Sequence, residues 1–209
     1  MAHRPQWCSK SLLRLISAIT SLADSKWSAL HALKNDMTPG ENSSVASCME
    51  TYEHQRHMLE RQLYQHSFHE KHTSETEEDE EERHISGVKR LAALMYFYAR
   101  VDESGPYESH MGRLTEEILQ LLPRVSLRTN TLLWPLFIVG TLGIRPESDD
   151  NRILVLRTLD ALQRTRQLGC VRKARFVIED VWKARDLSLT DAARGWSILD
   201  GKHGNISLA

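Results

Sequence analysis

The residues best placed to do chemistry are histidines. Five of the ten, His54, His57, His66, His69 and His72, crowd one stretch of the chain. On a helix, residues three apart share a side, so an i,i+3 pair offers two imidazoles to a metal. A tight site needs a third or fourth ligand, oriented by its own hydrogen-bond partners. No HExxH arrangement supplies one, so the stretch reads as a polar, partly exposed face and no metal ligand is assigned. Cys170 follows Gly169 near a predicted helix start, where the helix dipole lowers a thiol pKa. No neighbouring base gives it nucleophile logic, and it reads as a structural cysteine. Asp149-Asp150 and Glu116-Glu117 are adjacent carboxylates. Neighbours on a helix point about 100° apart, which makes poor acid/base dyads and good helix N-terminal charges. GxSxG, phosphate-loop and GxGxxG patterns are missing. No catalytic or cofactor-binding residue is assigned, and the chain does not read as an enzyme.

Arg157, Arg164, Arg166, Arg172, Lys173 and Arg175 make the C-terminal region locally basic. Nucleic-acid binding would need these cations on one face, with aromatic support or a reading helix. Apolar residues interleave them instead, so each serves as the solvated side of an amphipathic helix. No DNA-binding residue is assigned.

The elements that would position these groups are helical almost throughout. Ser9 or Ser11 can cap a first helix whose Leu12, Leu15, Ile16, Ile19, Leu22, Ala23, Leu30 and Leu33 share a face, ended by Pro39-Gly40. Val45 to about His69 is a more polar helix anchored by Met49, Tyr52, Met58, Leu59 and Leu63. Ile85, Val88, Leu91, Ala92, Met95 and Ala99 form the next stripe, ending near Gly105-Pro106. Met111, Leu114, Ile118, Leu121 and Leu122 form another, stopped by Pro123. Pro135 sits in the first turn of the following helix or kinks it. Val155, Leu156, Leu159 and Leu162 are closed by Gly169. The last helix carries Val171, Ala174, Ile178, Val181 and Trp182 on one side. Arg172, Arg175, Glu179, Lys183 and Asp186 lie opposite, with Arg175–Glu179 and Glu179–Lys183 as supporting i,i+4 pairs. The sheet pattern of alternating Val, Ile and Thr with Asn-Gly turns is missing. The fold class is all-α, with antiparallel helix pairs in a bundle or short helical array.

Charge divides the chain. Thr73 to Arg83 holds seven acidic residues against one basic, and the flanking regions are close to neutral or mildly basic. Such a block repels itself and has nothing to bury, which predicts a disordered acidic linker. An acidic activation segment would interleave large hydrophobics among its acids, and this block has none. The expected organisation is an N-terminal helical segment over 1–72, the linker over 73–83, a C-terminal bundle over 84–187 and a weakly ordered tail over 188–209.

With 27 basic against 28 acidic residues, the 209-residue chain is no polycation built to coat nucleic acid. Cys8, Cys48 and Cys170 are scattered without a CxxC pair, which excludes a disulfide scaffold and a cysteine-rich zinc module and fits a reducing compartment. The longest uncharged apolar run, Leu132 to Ile144, is interrupted by Pro135, Gly140 and Gly143. It is shorter than the roughly 20 residues that a bilayer requires, so no membrane partner is expected. Being apolar on nearly every face, it is expected to be the central helix of the C-terminal bundle, with Trp134 in the core. The competing reading makes Trp134 the wall of an effector pocket.

Several stretches in order carry a family resemblance. Arg113-Leu114, Ile118-Leu119, Leu121-Leu122-Pro123 and Leu132-Leu133-Trp134-Pro135-Leu136-Phe137-Ile138-Val139-Gly140 resemble the C-terminal part of the fungal-specific transcription factor domain. Arg145-Pro146-Glu147, Leu159 to Gly169 and Val171 through Trp182 to Asp186 continue the likeness. Cys8-Ser9-Lys10-Ser11-Leu12-Leu13-Arg14-Leu15-Ile16 resembles the start of one of its helices. The likeness spans roughly Trp7 to Leu187 and is weakest across Asp36 to Arg83. That domain is the helical regulatory region of fungal zinc-cluster transcription factors, whose DNA-binding module holds two zinc ions on six cysteines.

The resemblance implies a non-catalytic regulatory module acting in the nucleus. Its partners would be proteins of the transcription machinery, a self-association partner or a small-molecule effector, at residues that the likeness does not identify. Three cysteines cannot form the zinc cluster, so neither zinc nor DNA binding carries over to any residue here. The expectation is a truncated module or one without its own DNA-binding domain. The alternative is an orphan helical interaction scaffold with no transcriptional role.

Overall fold

The computed structural model describes residues 10–35, 42–65, 77–127, 132–166 and 169–187, with Trp196 and Leu199. The order is α1 Lys10–Asn35, α2 Asn42–Gln65, α3 Glu77–Val101 and α4 Ser109–Leu121, then a 3-10 turn at Leu122–Arg124. Next come α5 Leu133–Ile138, which runs directly into a π-helical turn at Val139–Gly143, then α6 Asp149–Arg166 and α7 Gly169–Leu187. Among the described residues there is no strand, and the chain is an all-α array. None of its helices there is long and apolar enough to cross a membrane.

One hydrophobic cluster runs from Leu12 to Leu199, and α3 is at its centre. Every residue from Leu91 to Ala99 is buried, and α3 touches α1, α2, α4, α5 and the π turn. The sequence of this stretch explains its reach. Ala92, Ala93 and Ala99 let neighbouring helices approach, while Leu94, Met95 and Phe97 fill the space between them. A helix apolar all round has to be enclosed on all sides. Helix α3 is thus the centre of the whole array, while the segment around Trp134, buried from Leu132 to Ile144 at every residue but Trp134 and touching α3, α4, α6 and α7, holds its expected place at the middle of the C-terminal bundle. Leu133, Pro135, Leu136, Phe137 and Ile138 of α5 are buried, but Trp134 is only partly so. Pro135 occupies the first turn, where its missing N–H leaves no bond unmade.

The acidic block also departs from expectation. Residues 77–83 form the opening turns of α3, whereas 73–76 lie outside the described residues. Glutamate is a good helix former, and negative charge is favoured near a helix N-terminus. With the apolar half of α3 anchored in the core, the helix extends back through these acids. Glu81 Oε1 further accepts a bond from the Ser126 N–H at 2.9 Å, tying the block to the turn after α4.

The predicted stripes of α1, α4, α6 and α7 face the core, except that Leu30 and Leu33 are outside the described side chains. On α2, Leu59 and Leu63 are buried and Tyr52 is half-buried, but Met49 and Met58 are exposed. The buried seam of α2 is thus narrower than its apolar residues suggested. In the tail, Leu199 is only 3% exposed and Trp196 packs against the core, so this part of 188–209 is docked.

Candidate functional site

Of the five crowded histidines, His54 and His57 are exposed on α2, and the other three lie outside the described residues. His57 Nδ1 is 3.8 Å from Glu60 Oε2. Among the described residues, no three His, Cys, Asp or Glu side chains converge to hold a metal. Cys48 is exposed and Cys170 half-buried in the first turn of α7; both are free thiols, and Cys8 is outside the described residues. Asp149 and Asp150 do open α6. Glu116 and Glu117 instead sit midway along α4, both exposed, with Glu117 3.9 Å from Arg113. Arg157, Arg164, Arg172 and Lys173 are exposed, whereas Arg175 is bound to Asp160 and, at 2.8 Å, to Glu179.

The densest polar cluster is one that the spacing of catalytic motifs did not mark. Arg56 on α2 lays its guanidinium fork on Asp102, with Nε donating to Oδ1 at 2.8 Å and Nη2 to Oδ2. Nη1 reaches Glu60 Oε2 at 3.2 Å, and the fork lies over the Phe97 ring at 5.5 Å. The bond to Asp102 raises the Arg56 pKa against the opposing effect of burial. Glu60 Oε1 accepts the Tyr98 hydroxyl proton at 2.7 Å, and Tyr64 lies 3.0 Å from the same hydroxyl. Since Tyr98 has one proton and gives it to Glu60, Tyr64 donates to Tyr98. His110 stacks edge-on against Tyr98 at 4.7 Å, and its Nε2 is 3.1 Å from Ser104 Oγ.

A carboxylate, two phenols and an imidazole in sequence invite comparison with an acid/base relay. The electrostatics point the other way. Burial first, then the bonds to Tyr64 and Glu60, push the Tyr98 pKa far above that of a free phenol. Burial and the nearby Asp102 push Tyr52 up to about 12. An activated tyrosine would have a lowered pKa. These phenols hold their protons as hydrogen-bond donors, and the cluster acts as a latch. It closes on the C-terminus of α3, where Lys26 Nζ and the Tyr52 hydroxyl both donate to the Val101 carbonyl, at 2.9 and 3.4 Å. A cation there also complements the helix dipole. Beyond it Glu103 takes a left-handed φ of 57°, and the Ser104 N–H returns to the Tyr98 carbonyl at 3.0 Å.

A second cluster fastens the 144–148 turn. Arg152 forks onto Asp186, 3.0 Å from Nη1 to Oδ2, and lies 5.3 Å over Trp182. Arg145 Nε donates to the Pro106 carbonyl at 2.9 Å. Burial lowers the Arg185 pKa to about 10, with the positive Arg152 acting in the same direction, so it stays protonated at neutral pH. These cations bind backbone and carboxylates of the domain itself.

The π turn is held by contact. A Cβ on Gly140 would sit 2.9 Å from Ile178 Cδ1, and one on Gly143 would collide with Thr115 Oγ1 and lie 2.9 Å from Met95 Cε. A side chain at Gly143 would require Thr115 and Met95 to move, and one at Gly140 would require Ile178 to shift. A widened turn displaces the usual intrahelical partners of its carbonyls. The Gly140 carbonyl receives the Trp182 indole N–H instead, at 2.7 Å.

The last grouping is aromatic. Tyr96 on α3 meets Trp134 edge-on at 6.4 Å and Trp196 at 5.0 Å. Its hydroxyl is 3.0 Å from Thr20 Oγ1 on α1; because Thr20 donates to the Ile16 carbonyl, Tyr96 is the donor. Arg100 lies 5.5 Å over the Trp196 ring. Trp134 therefore stands at a partly open corner, between the core and pocket roles that its sequence context allowed.

These arrangements brace, latch and pack. The Ser104 hydroxyl, 3.1 Å from the His110 imidazole, is itself buried at 2% exposure within the latch. No curated protein and no solved structure matches the chain. A family model described as "Fungal specific transcription factor domain" matches residues 8–202, a span that includes Trp196 and Leu199.

Proposed function

Because the chain belongs to the fungal specific transcription factor domain family, we propose that it is a non-catalytic regulatory module that works in the nucleus by binding. The family match over residues 8–202 is the observation that carries this reading. The chemistry is compatible with it: the polar groups most able to react are committed to holding helices together. The module takes no resident metal or organic cofactor, and its partners are proteins of the transcription machinery, a second regulator chain or a small effector. The three cysteines of this sequence cannot form a six-cysteine zinc cluster, so sequence-specific DNA recognition comes from outside residues 1–209.

Tethering tests this. The full chain fused to an unrelated DNA-binding domain should change expression of a reporter carrying that domain's site, by activation or repression. A folded, nuclear fusion that leaves the reporter at its baseline would favour the interaction scaffold without a transcriptional role.

A further inference from the structure

We infer that the outer face of α7 is a homodimerisation surface, on which a second copy of this chain packs its own α7 antiparallel. Phe176, Asp180, Lys183 and Leu187 follow one another along α7 at intervals of four, three and four residues, so they form one stripe. That stripe lies opposite the buried Ala174, Ile178 and Val181. The described neighbours of α7, which are α5, α6 and the π turn, lie against its buried side and flank. Phe176 is 64% exposed and Leu187 75%, the most exposed large hydrophobics among the described residues. Apolar residues scattered singly over a surface are ordinary. Here two share a stripe, with one acid and one base between them.

The stripe is complementary to itself. A two-fold axis crossing the outer face level with Val181 and Trp182 turns it end for end. Phe176 then meets the partner's Leu187, and Asp180 meets the partner's Lys183. Symmetry repeats each contact, giving two apolar layers around two pairs of opposite charge. A parallel pairing would set Asp180 on Asp180 and Lys183 on Lys183, and like charges oppose it. The acids beside the stripe are neutralised within the chain: Arg175 donates to Glu179 at 2.8 Å, and Arg152 to Asp186 at 3.0 Å. An unrelated apolar helix could cover the two ends, but the central charges, in the same register, select a copy of this chain. Four side chains per copy make a small interface, so the dimer is weak and reversible, with a Kd on the order of 100 μM. The face belongs to α7 and would pair copies whether or not the chain acts in transcription.

Sedimentation equilibrium of the full chain, from about 5 to about 500 μM, reads the balance of monomer and dimer. Phe176→Ala/Leu187→Ala should keep wild-type helicity, since both side chains are exposed, and should weaken association about ten-fold or more. Asp180→Lys and Lys183→Asp each set like charges across the seam and should weaken it about three-fold or more. An equimolar mixture of those two variants has opposite charges at both pairs and should dimerise about as well as wild type. A wild-type chain that stays monomeric throughout, leaving the face to a different partner, would overturn the proposal. So would an alanine variant that dimerises like wild type, or a mixture no tighter than either variant alone. Loss of helicity in the alanine variant would overturn it too, by showing that the stripe is structural.

Discussion

Helices α2 and α7 both lay an amphipathic face on the same core, and they are held in different ways. Helix α7 buries Val171, Ala174, Val177, Ile178, Val181 and Trp182, and to this packing it adds the Trp182 bond to the π turn and the ion pairs Arg175–Asp160 and Arg152–Asp186 with α6. Helix α2 buries Leu59 and Leu63 and relies on Arg56, Glu60 and Tyr52 for the rest. Each fully buried aliphatic or aromatic side chain contributes about 1.5–3 kcal/mol, against about 0.5–1.5 for an ordinary hydrogen bond. Attachment by packing is stronger and insensitive to salt; attachment by a latch is weaker, geometrically specific and tunable by pH and ionic strength. A regulatory domain with both kinds can rearrange an outer helix while its centre persists.

The strongest way to break the packed side is Trp182→Ala. It removes a buried aromatic and leaves the Gly140 carbonyl without its donor, so the loss should be about 3–5 kcal/mol in chemical denaturation. Gly140→Ala tests the same seam from the other side. The new methyl would press on Ile178, and overpacking of this kind costs about 1–3 kcal/mol. A variant as stable as wild type would mean that the π turn relaxes freely.

On the latched side the expected effects are smaller. Hydrogen bonds to charged groups are worth about 1.5–3 kcal/mol, and the Arg56–Asp102 pair, with side chains 18% and 24% exposed, is partly wetted. Arg56→Ala should therefore cost about 1.5–2 kcal/mol, near the low end of that range. The alkaline response sharpens the contrast further. Tyr52 has its pKa raised from 10.0 to about 12 by folding, so its contribution is complete below pH 10 and lost as pH climbs through 12. Tyr98 shifts in the same direction. The denaturation midpoint should fall with rising pH across that window, and Tyr52→Phe/Tyr98→Phe should flatten the fall.

Much of this contrast was legible in the sequence on one side only. The spacing of Val171, Ala174, Ile178, Val181 and Trp182 gave the buried face of α7 directly, because packing follows periodicity. The same logic assigned Met49 and Met58 to the core, and both are exposed. Periodicity says which residues share a face, not how wide a seam the neighbour accepts. The latch escaped because Arg56 and Glu60 have no motif spacing to mark them, and their partners Asp102 and Tyr98 are distant in the chain. The acidic block misled through composition: helix propagation from an anchored α3 outweighed the self-repulsion of residues 77–83. Trp196 and Leu199 carried a faint signal, an apolar i,i+3 pair near the C-terminal end, and the Tyr96 and Arg100 that Trp196 packs against are distant in the chain.

The most direct test is hydrogen exchange of the full chain, comparing the amides of residues 53–65 on α2 with those of 171–181 on α7. The account predicts that α2 exchanges through an opening well below the global unfolding free energy, and that added salt speeds it. Residues 171–181 should exchange only with global unfolding, together with 91–99 of α3. If α2 and α7 exchange at one common free energy that salt does not separate, the latch is no weaker than the packed core and the two-part account fails.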